Sequence, residues 1–339
     1  MISYNVIYQL VDYVLLNACS VNSTGLYNGK AGLSLCLFET SRCLGDVYLE
    51  EQALNLLQEA LINRNPDISF ENGSSGIGYV LIYLIRHKFI EADFYELFEE
   101  HLEKIIEQLA LLEDLHFREK TFHYIKVVYL LREMHLTCTN GRFMHYINFF
   151  LAESSLLLKE RFLMVKNKSS NYSKIDLLDS VESYLSVLDN CECLAPSFEL
   201  FELLELYAEL YEKDRFISSY IVGYHLGNIA FALKNSRLEK LADRNKRISL
   251  QNMHIDTMTL SQQIDMLWLL QKERNKYASF INTLEVELMQ ESGMKYFDKK
   301  ILQKIGDVDF IAGYESGIAR FLLYWAYSSS CKIISQSFL

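Results

Sequence analysis

Four glycine-centred segments dominate this sequence and predict its fold. They are residues 25–33 (GLYNGKAGL), 72–77 (NGSSGI), 223–229 (GYHLGNI) and 313–318 (GYESGI), and an apolar run follows each of them. Their final glycines stand at positions 32, 76, 227 and 317, so they are separated by 44, 151 and 90 residues. These separations are close to one, three and two multiples of about 45 to 50 residues, a length typical of a repeated pair of helices. The segments therefore predict a helical repeat.

The first two repeats alternate between two kinds of helix. Residues 33–39 are apolar nearly all round, which predicts a helix that is buried on every side. Residues 48–61 instead carry leucine and alanine on one face and glutamate and glutamine on the other, which predicts a half-exposed helix. The second repeat has the same plan in residues 77–85 and 94–109. We therefore expect inner and outer helices in two concentric layers.

Further repeats fit between the segments, although their glycines are absent. Between the second and third segments, the candidate inner helices are residues 123–131 and either 175–188 or 198–210. The polar residues 166–174 predict a loop between repeats. One more repeat, around residues 258–270, fills the interval before the fourth segment. This gives roughly six or seven helix pairs in all.

Helix pairs repeated this often either stack as an open solenoid or close into an α/α toroid. The glycine-rich starts favour closure, because inner helices crowded around an axis need close backbone approach at one end. Half of the residues are hydrophobic and only two are proline, which favours an all-helical protein with a large core. We predict an all-α fold in which residues 1–339 form a single α/α toroid domain.

Composition also limits which partners and which cellular compartment are expected for this protein. The formal net charge of −11 argues against nucleic-acid binding, because affinity for phosphate backbones needs clustered Lys and Arg. A basic run at residues 234–247 is typical of a solvated helix face, and a patch for an acidic peptide is the alternative. Seven scattered cysteines favour reduced thiols in the cytoplasm. Neither a signal-peptide pattern nor a membrane-spanning apolar stretch is recognisable.

The glycine segments resemble those of one known family. Residues 25–33 and 72–77 are similar to the first two copies of the motif that begins the inner helices of lanthionine synthetase C-like (LanC-like) proteins, and residues 45–49 resemble the start of the family's first outer helix. The resemblance is good over residues 23–109, weak in the middle and partial again over residues 307–327. It implies an α/α toroid, an architecture shared in outline with the six-hairpin glycosidases.

The resemblance also implies what to expect of a metal. The family's catalytic members are zinc enzymes that add peptide cysteine thiols to dehydrated serine or threonine and so form thioether rings. They hold zinc with a lone Cys, often in a Trp-Cys-x-Gly context, and with an adjacent Cys-His pair followed by Gly. Neither motif stands here, because no Cys directly precedes a His and neither Trp268 nor Trp325 is followed by Cys. Without thiolate and imidazole ligands we expect no metal site and no cofactor.

These features lead to a main functional hypothesis and two alternatives. The main one is a LanC-like pseudoenzyme of lanthionine or peptide modification, without zinc-dependent cyclase activity, that serves as a peptide-binding or accessory subunit. Its partners would be a peptide substrate or a modification enzyme. The first alternative is a carbohydrate-active toroid that uses two carboxylates at its rim, and the second is an interaction scaffold with a filled centre.

Candidate cavity or rim residues come from the glycine segments themselves. Glu71 and Glu315 could form the carboxylate pair of a glycosidase, or they could cap helix N-termini together with the asparagines of the segments. His225 could act as acid, base or ligand, or it could be packed at a helix start and bonded to backbone. The full set of candidates is Tyr27, Asn28, Glu71, Asn72, Tyr224, His225, Tyr314 and Glu315.

Overall fold

The computed structural model describes residues 4–27, 29–63, 65–115, 117–138, 141–167, 173–191, 198–254, 258, 260–289 and 317–330. Within these ranges the chain forms fifteen helices and no strand, which confirms the all-α prediction. The helices are α1 (Tyr4–Ala18), α2 (Lys30–Leu44), α3 (Val47–Ile62), α4 (Ser74–Arg86), α5 (Phe94–Leu115), α6 (Arg118–His123), α7 (Val127–Cys138), α8 (Gly141–Lys166), α9 (Lys174–Asn190), α10 (Phe198–Glu212), α11 (Tyr220–Ala232), α12 (Ser236–Gln251), α13 (Leu260–Lys272), α14 (Arg274–Met289) and α15 (Ile318–Ser330).

Contacts along the chain divide it into two compact units. Unit 1 contains α1 to α4, the part of α5 up to Gln108, and α13 to α15, whereas unit 2 contains the rest of α5 and α6 to α12. No helix in the described ranges is both long enough and apolar enough to cross a bilayer. The prediction of a single domain over residues 1–339 stays a prediction.

The first repeats of unit 1 follow the alternation expected from their sequence. Helix α2 is buried at every residue from 31 to 41, and α4 is buried at every residue from 74 to 84. Helix α3 buries one face only, formed by Leu49, Ala53, Leu56, Leu57 and Ala60. In α5, Phe98 and Ile105 of the predicted apolar face are buried, whereas Leu97 near the start of the helix is exposed. The inner and outer helices of a repeat are therefore distinguished by their burial.

Hydrogen bonds give the directions of these helices. Ser34 Oγ donates to the carbonyl of Ala53 at 2.7 Å, and Lys30 pairs with Glu59, so α2 and α3 are antiparallel. The N–H of Tyr27 donates to the carbonyl of Glu71 at 2.8 Å just before α2 and α4, whereas Tyr83 donates to Glu39 near their ends. The inner helices α2 and α4 are therefore parallel.

Unit 2 repeats the same two-layer plan. Tyr129 of α7 contacts Ser186 of α9 through their hydroxyls at 3.0 Å, so these helices lie in one layer, which α11 continues. Helices α8, α10 and α12 form the other layer, in which Lys159 lies 2.5 Å from Glu202 of α10. Residues 175–188 therefore lie in the layer of α11, which contains the third glycine segment, and residues 198–210 lie in the layer of α12, so the choice between them as an inner helix stays a prediction.

Contacts between equivalent helices of neighbouring repeats span a range of separations in sequence around the predicted period. The partners are 44 residues apart for Tyr83 with Glu39 and 43 for Lys159 with Glu202, but 57 for Tyr129 with Ser186 and 36 for His225 with Asp189. A helical repeat is thus present in both units, and its length varies from one repeat to the next. The predicted helix at 258–270 corresponds to α13, and the one at 123–131 to α7, which begins later because residues 124–126 form a turn.

Candidate functional site

The third glycine segment lies inside a helix instead of preceding one. Ser219 is the N-cap of α11, and its Oγ accepts the N–H of Val222 at 3.4 Å and donates to Glu182 of α9. A serine is among the best N-caps because its hydroxyl satisfies a backbone donor of the first turn. The helix therefore starts before Gly223, and residues 223–229 are helical. Their side chains lie on two faces of α11.

One face of α11 packs closely against α12. A Cβ added to Gly223 would lie 2.8 Å from the carbonyl oxygen of Ala242 and 2.7 Å from Cγ of Lys246, so this position requires glycine. A Cβ added to Gly227 would lie 3.6 Å from the Ala242 Cβ, which is an ordinary contact. Because the glycines occupy this face, the side chains of His225 and Asn228 project from a different one.

That second face meets the end of α9. His225 is buried, and its Nδ1 lies 2.8 Å from Oδ2 of Asp189. The side-chain amide of Asn228, which is exposed, donates to the same Oδ2 at 2.8 Å. The side chain of Asp189 keeps 14% of its surface exposed, so the pair lies just below the molecular surface. The alternative of a histidine bonded to backbone at a helix start is wrong, because Ser219 begins the helix upstream and a carboxylate is the partner.

This geometry fixes the tautomer of His225. An ionised carboxylate only accepts hydrogen bonds, so Nδ1 must carry the proton that Asp189 receives. In the neutral ring Nε2 then has a free lone pair. His225 makes no other hydrogen bond with the described residues. The imidazole is therefore oriented by a carboxylate on one side and able to accept a hydrogen bond or a proton on the other, as in many acid–base sites.

The position of Asp189 is locally unfavourable. It stands in the last turn of α9, where the negative end of the helix dipole disfavours a carboxylate by about 0.3–1 kcal/mol. The two donors from α11 offset this cost. A residue that opposes its local preference and is held by long-range partners is the kind of departure expected at functional sites.

The other predicted site residues fall into two groups. In unit 1, Tyr27 and Glu71 are brought together by the backbone hydrogen bond between them, and Asn72 is exposed beside Glu71. Neither Glu71 nor Asn72 is the N-cap of α4, which is Gly73, and the N–H of Ser74 donates instead to the carbonyl of Asp67 at 2.9 Å. Neither residue occupies the N-cap position, and the preceding loop folds back to supply the acceptor for Ser74.

The remaining candidates are in unit 2 or outside the described ranges. Tyr224 is half-buried in α11 next to His225. Asn28, Tyr314 and Glu315 lie outside the described residues, so the proposed pairing of Glu71 with Glu315 stays a prediction.

Sequence reasoning missed a second polar cluster, in the inner layer of unit 1. Tyr83 of α4 donates to Glu39 of α2, and its hydroxyl also contacts that of Tyr327 of α15. Since a hydroxyl has one proton, Tyr327 donates to Tyr83. All three side chains are buried, and burial together with the neighbouring Glu39 carboxylate raises the pKa of Tyr83. The cluster joins the first, second and last of the inner helices described in unit 1.

A signal for this cluster exists in the sequence. Glu39 and Tyr83 each stand seven residues after the final glycine of their segment, Gly32 and Gly76. A glutamate in a helix that is otherwise buried all round needs a hydrogen-bond partner. Aligning the two segments and asking which residue could serve Glu39 would have found Tyr83. The sequence contains no comparable signal for Asp189, because its partner His225 is 36 residues away.

Among the described residues, no group of three or more His, Cys, Asp or Glu side chains is arranged to hold a metal ion. No protein-family model matches this chain, and no curated protein or solved structure matches it. The chemistry of the His225–Asp189 pair is therefore the basis for assigning a function.

Proposed function

We propose that this protein is a LanC-like α/α toroid of roughly six or seven helix pairs that binds a peptide as an accessory subunit of peptide modification. It acts without zinc-dependent cyclisation. The observation that carries this proposal is the hydrogen bond of His225 Nδ1 to Asp189, which leaves Nε2 as an acceptor in a glycine segment of the repeat.

Two features of the fold support the toroid. In each unit, equivalent helices of neighbouring repeats contact each other within their layer, through Tyr83 with Glu39 in unit 1 and through Lys159 with Glu202 in unit 2, as a toroid requires. In unit 1, α15 near the C-terminus packs against α2 near the N-terminus, and Tyr327 contacts Tyr83. First and last repeats meet in a ring, whereas they are far apart in an open solenoid.

The chemistry of the pair supports a peptide ligand with a side-chain donor. Nε2 of a histidine whose Nδ1–H is held by a carboxylate accepts a hydrogen bond from a hydroxyl or thiol, and it can also take up the proton. Serine, threonine and cysteine are the small peptide residues that provide such donors. Asn228, whose amide nitrogen bonds to Asp189, is exposed, so its amide oxygen can bond to a peptide backbone.

Selection from a phage-displayed library of linear peptides tests the proposal. A selected peptide is synthesised with a fluorescent label, and its Kd is measured by anisotropy with the full-length protein. We expect Ser, Thr or Cys to be enriched, and we expect Kd to rise about tenfold for His225→Ala and Asp189→Asn, the loss of roughly one good hydrogen bond. Asn55→Ala, at an exposed position of α3, is the control and should leave Kd unchanged.

Two outcomes contradict the proposal. One is a set of selected peptides whose affinity is the same for the wild-type protein and for both variants of the pair, with thermal melting confirming that the variants are folded. The other concerns the metal. Elemental analysis of the purified protein should find far less than one zinc per chain, and a stoichiometric amount would contradict a zinc-independent role.

A further inference from the structure

Asn228 shares its hydrogen-bond acceptor with His225. The two residues are three positions apart on α11, so they lie on the same face of the helix. The amide nitrogen of Asn228 and Nδ1 of His225 are each 2.8 Å from Oδ2 of Asp189. Asn228 is exposed whereas His225 is buried, so the amide lies on the solvent side of the pair.

We infer that Asn228 is a positioning residue, which sets the orientation of the Asp189 carboxylate and through it the tautomer of His225. The inference rests on the proposed role of His225 Nε2 as an acceptor, and it adds the residue that maintains that role. Asn228 acts through Asp189, and the hydrogen bond between the two side chains is the contact through which it does so.

Asp189 needs such a residue because the carboxylate of an aspartate rotates readily about its terminal torsion. The terminal torsion of Asp has a broad, roughly two-fold profile, so its two oxygens exchange readily when a single donor holds them. The donors of His225 and Asn228 lie one turn apart on one helix. Both bond to Oδ2 of Asp189, so together they define one orientation of the carboxylate. Loss of the solvent-side donor opens Oδ2 to water and frees the carboxylate to rotate, which weakens its bond to Nδ1–H.

The consequence for His225 is a change of tautomer. When Nδ1–H is no longer well bonded, the ring also populates the form in which Nε2 carries the proton. In that form Nε2 donates and can no longer accept. Asn228→Asp should have the strongest effect, because it removes the donor and places a second carboxylate beside Asp189, where like charges repel.

Nitrogen NMR of the full-length protein labelled in its eight histidines tests the inference. The His225 signals are assigned by their absence in His225→Gln. We expect the wild-type protein to show a protonated Nδ1 and an unprotonated Nε2. In Asn228→Ala the ratio of the two neutral tautomers should shift about fivefold towards protonated Nε2, the factor that corresponds to one ordinary hydrogen bond. Asn228→Gln, which keeps the amide, should recover part of the shift.

The outcomes separate this inference from the proposed function. Unchanged His225 signals in both Asn228→Ala and Asn228→Asp would overturn the positioning role, even if peptide binding depended on His225. A tautomer shift without any dependence of peptide affinity on His225 would support the positioning role and overturn the proposed function. Asn55→Ala is the matched control, because it removes an exposed amide from α3 and should leave the His225 signals as in the wild type.

Discussion

Neighbouring repeats are joined by different means in the two units. In unit 1 the loops before α2 and α4 touch through their backbones: a Cβ on Gly25 would lie 2.4 Å from the carbonyl carbon of Asn72, and a Cβ on Gly76 would lie 2.8 Å from the nitrogen of Leu26. In unit 2 the repeats are bridged by side chains, such as Lys159 with Glu202. Steric fit between loops is therefore added to polar pairs such as Tyr83 with Glu39 in unit 1, whereas polar pairs bridge the repeats of unit 2.

This difference explains where the glycines occur. A glycine is needed where two backbones approach more closely than a Cβ allows, and it is not needed where long side chains span the distance. In unit 2, Lys166 reaches Glu209 across the outer layer at 2.6 Å, and His225 reaches Asp189 across the inner layer at 2.8 Å. The glycines missing from the middle repeats therefore reflect a change in how repeats are joined, not the loss of the repeat.

The largest expected effect is that of Gly25→Ala, which places a side chain where the loops of two neighbouring repeats touch. Its Cβ would lie 2.4 Å from the carbonyl carbon of Asn72 and 2.5 Å from the carbonyl oxygen of Glu71, and neither backbone atom can move without separating the two loops. We expect the free energy of unfolding to fall by about 3–5 kcal/mol, in the range of severe steric substitutions. Urea denaturation followed by circular dichroism measures it.

Gly227→Ala is the matched substitution in unit 2. The added Cβ meets Ala242 at an ordinary distance, and replacing a helical glycine by alanine stabilises by about 0.5–1 kcal/mol. If the two variants proved equally destabilised, the distinction between steric and side-chain contacts would be wrong.

The next effect is that of Tyr83→Phe, which tests whether the inner layer of unit 1 also depends on polar contacts. The substitution removes the donor to buried Glu39 and the acceptor of Tyr327, so we expect a loss of about 1–3 kcal/mol at neutral pH. Tyr129→Phe in unit 2, which loses one hydroxyl contact to Ser186, should cost less. An equal or greater loss for Tyr129→Phe would contradict the importance of the cluster.

The pH dependence of Tyr83 provides a second measurement. Burial, with Glu39 beside it, raises the pKa of Tyr83 above the ordinary tyrosine value of 10.0. Above that pH the unfolded chain releases the phenolic proton while the folded protein retains it, so stability is complete below pH 10 and falls as the pH rises further. In Tyr83→Phe the alkaline decline measured by denaturation at several pH values should be shallower than in the wild type.

Local patterns were sufficient to predict the all-helical class and the helix pairs of the first repeats. The apolar run at 33–39 and the amphipathic run at 48–61 correspond to α2 and α3, because burial all round or on one face is encoded in neighbouring residues. The third glycine segment was harder. It resembles a helix start, but Ser219 caps α11 upstream of it, and a capping hydroxyl outweighs the resemblance.

The candidate site could be predicted only in part. His225 was identified because it stands in a glycine segment. Asp189 and Asn228 were not, since an aspartate at a helix end and an exposed asparagine have no distinguishing local pattern. Their role depends on the parallel packing of α9 on α11, which brings together residues 36 positions apart. Long-range pairs of this kind require the tertiary fold, and no periodicity in one segment encodes them.

The smallest expected effect is that of Glu209→Gln, which removes an exposed link between the outer helices of unit 2. Hydrogen bonds from Lys166, and then from Lys213, lower the pKa of Glu209 from 4.5 to about 2. Because the folded-state pKa is lowered, the stabilisation is present above about pH 4.5 and is lost as the pH falls towards 2. The variant should therefore lose less stability than the wild type between these two values, as measured by urea denaturation at each pH.

Glu99→Gln on the exposed face of α5, where no ion pair is described, is the control and should follow the wild-type curve. At neutral pH we expect little change for Glu209→Gln, since ion pairs on the surface are screened by water and salt. A large neutral-pH loss would mean that single polar pairs hold the repeats of unit 2 as firmly as glycine contacts hold those of unit 1. A small loss, beside the large effect of Gly25→Ala, would mean that unit 2 is held by many weak polar contacts, each of which can be replaced. Its sequence would for that reason be free to depart from the glycine pattern.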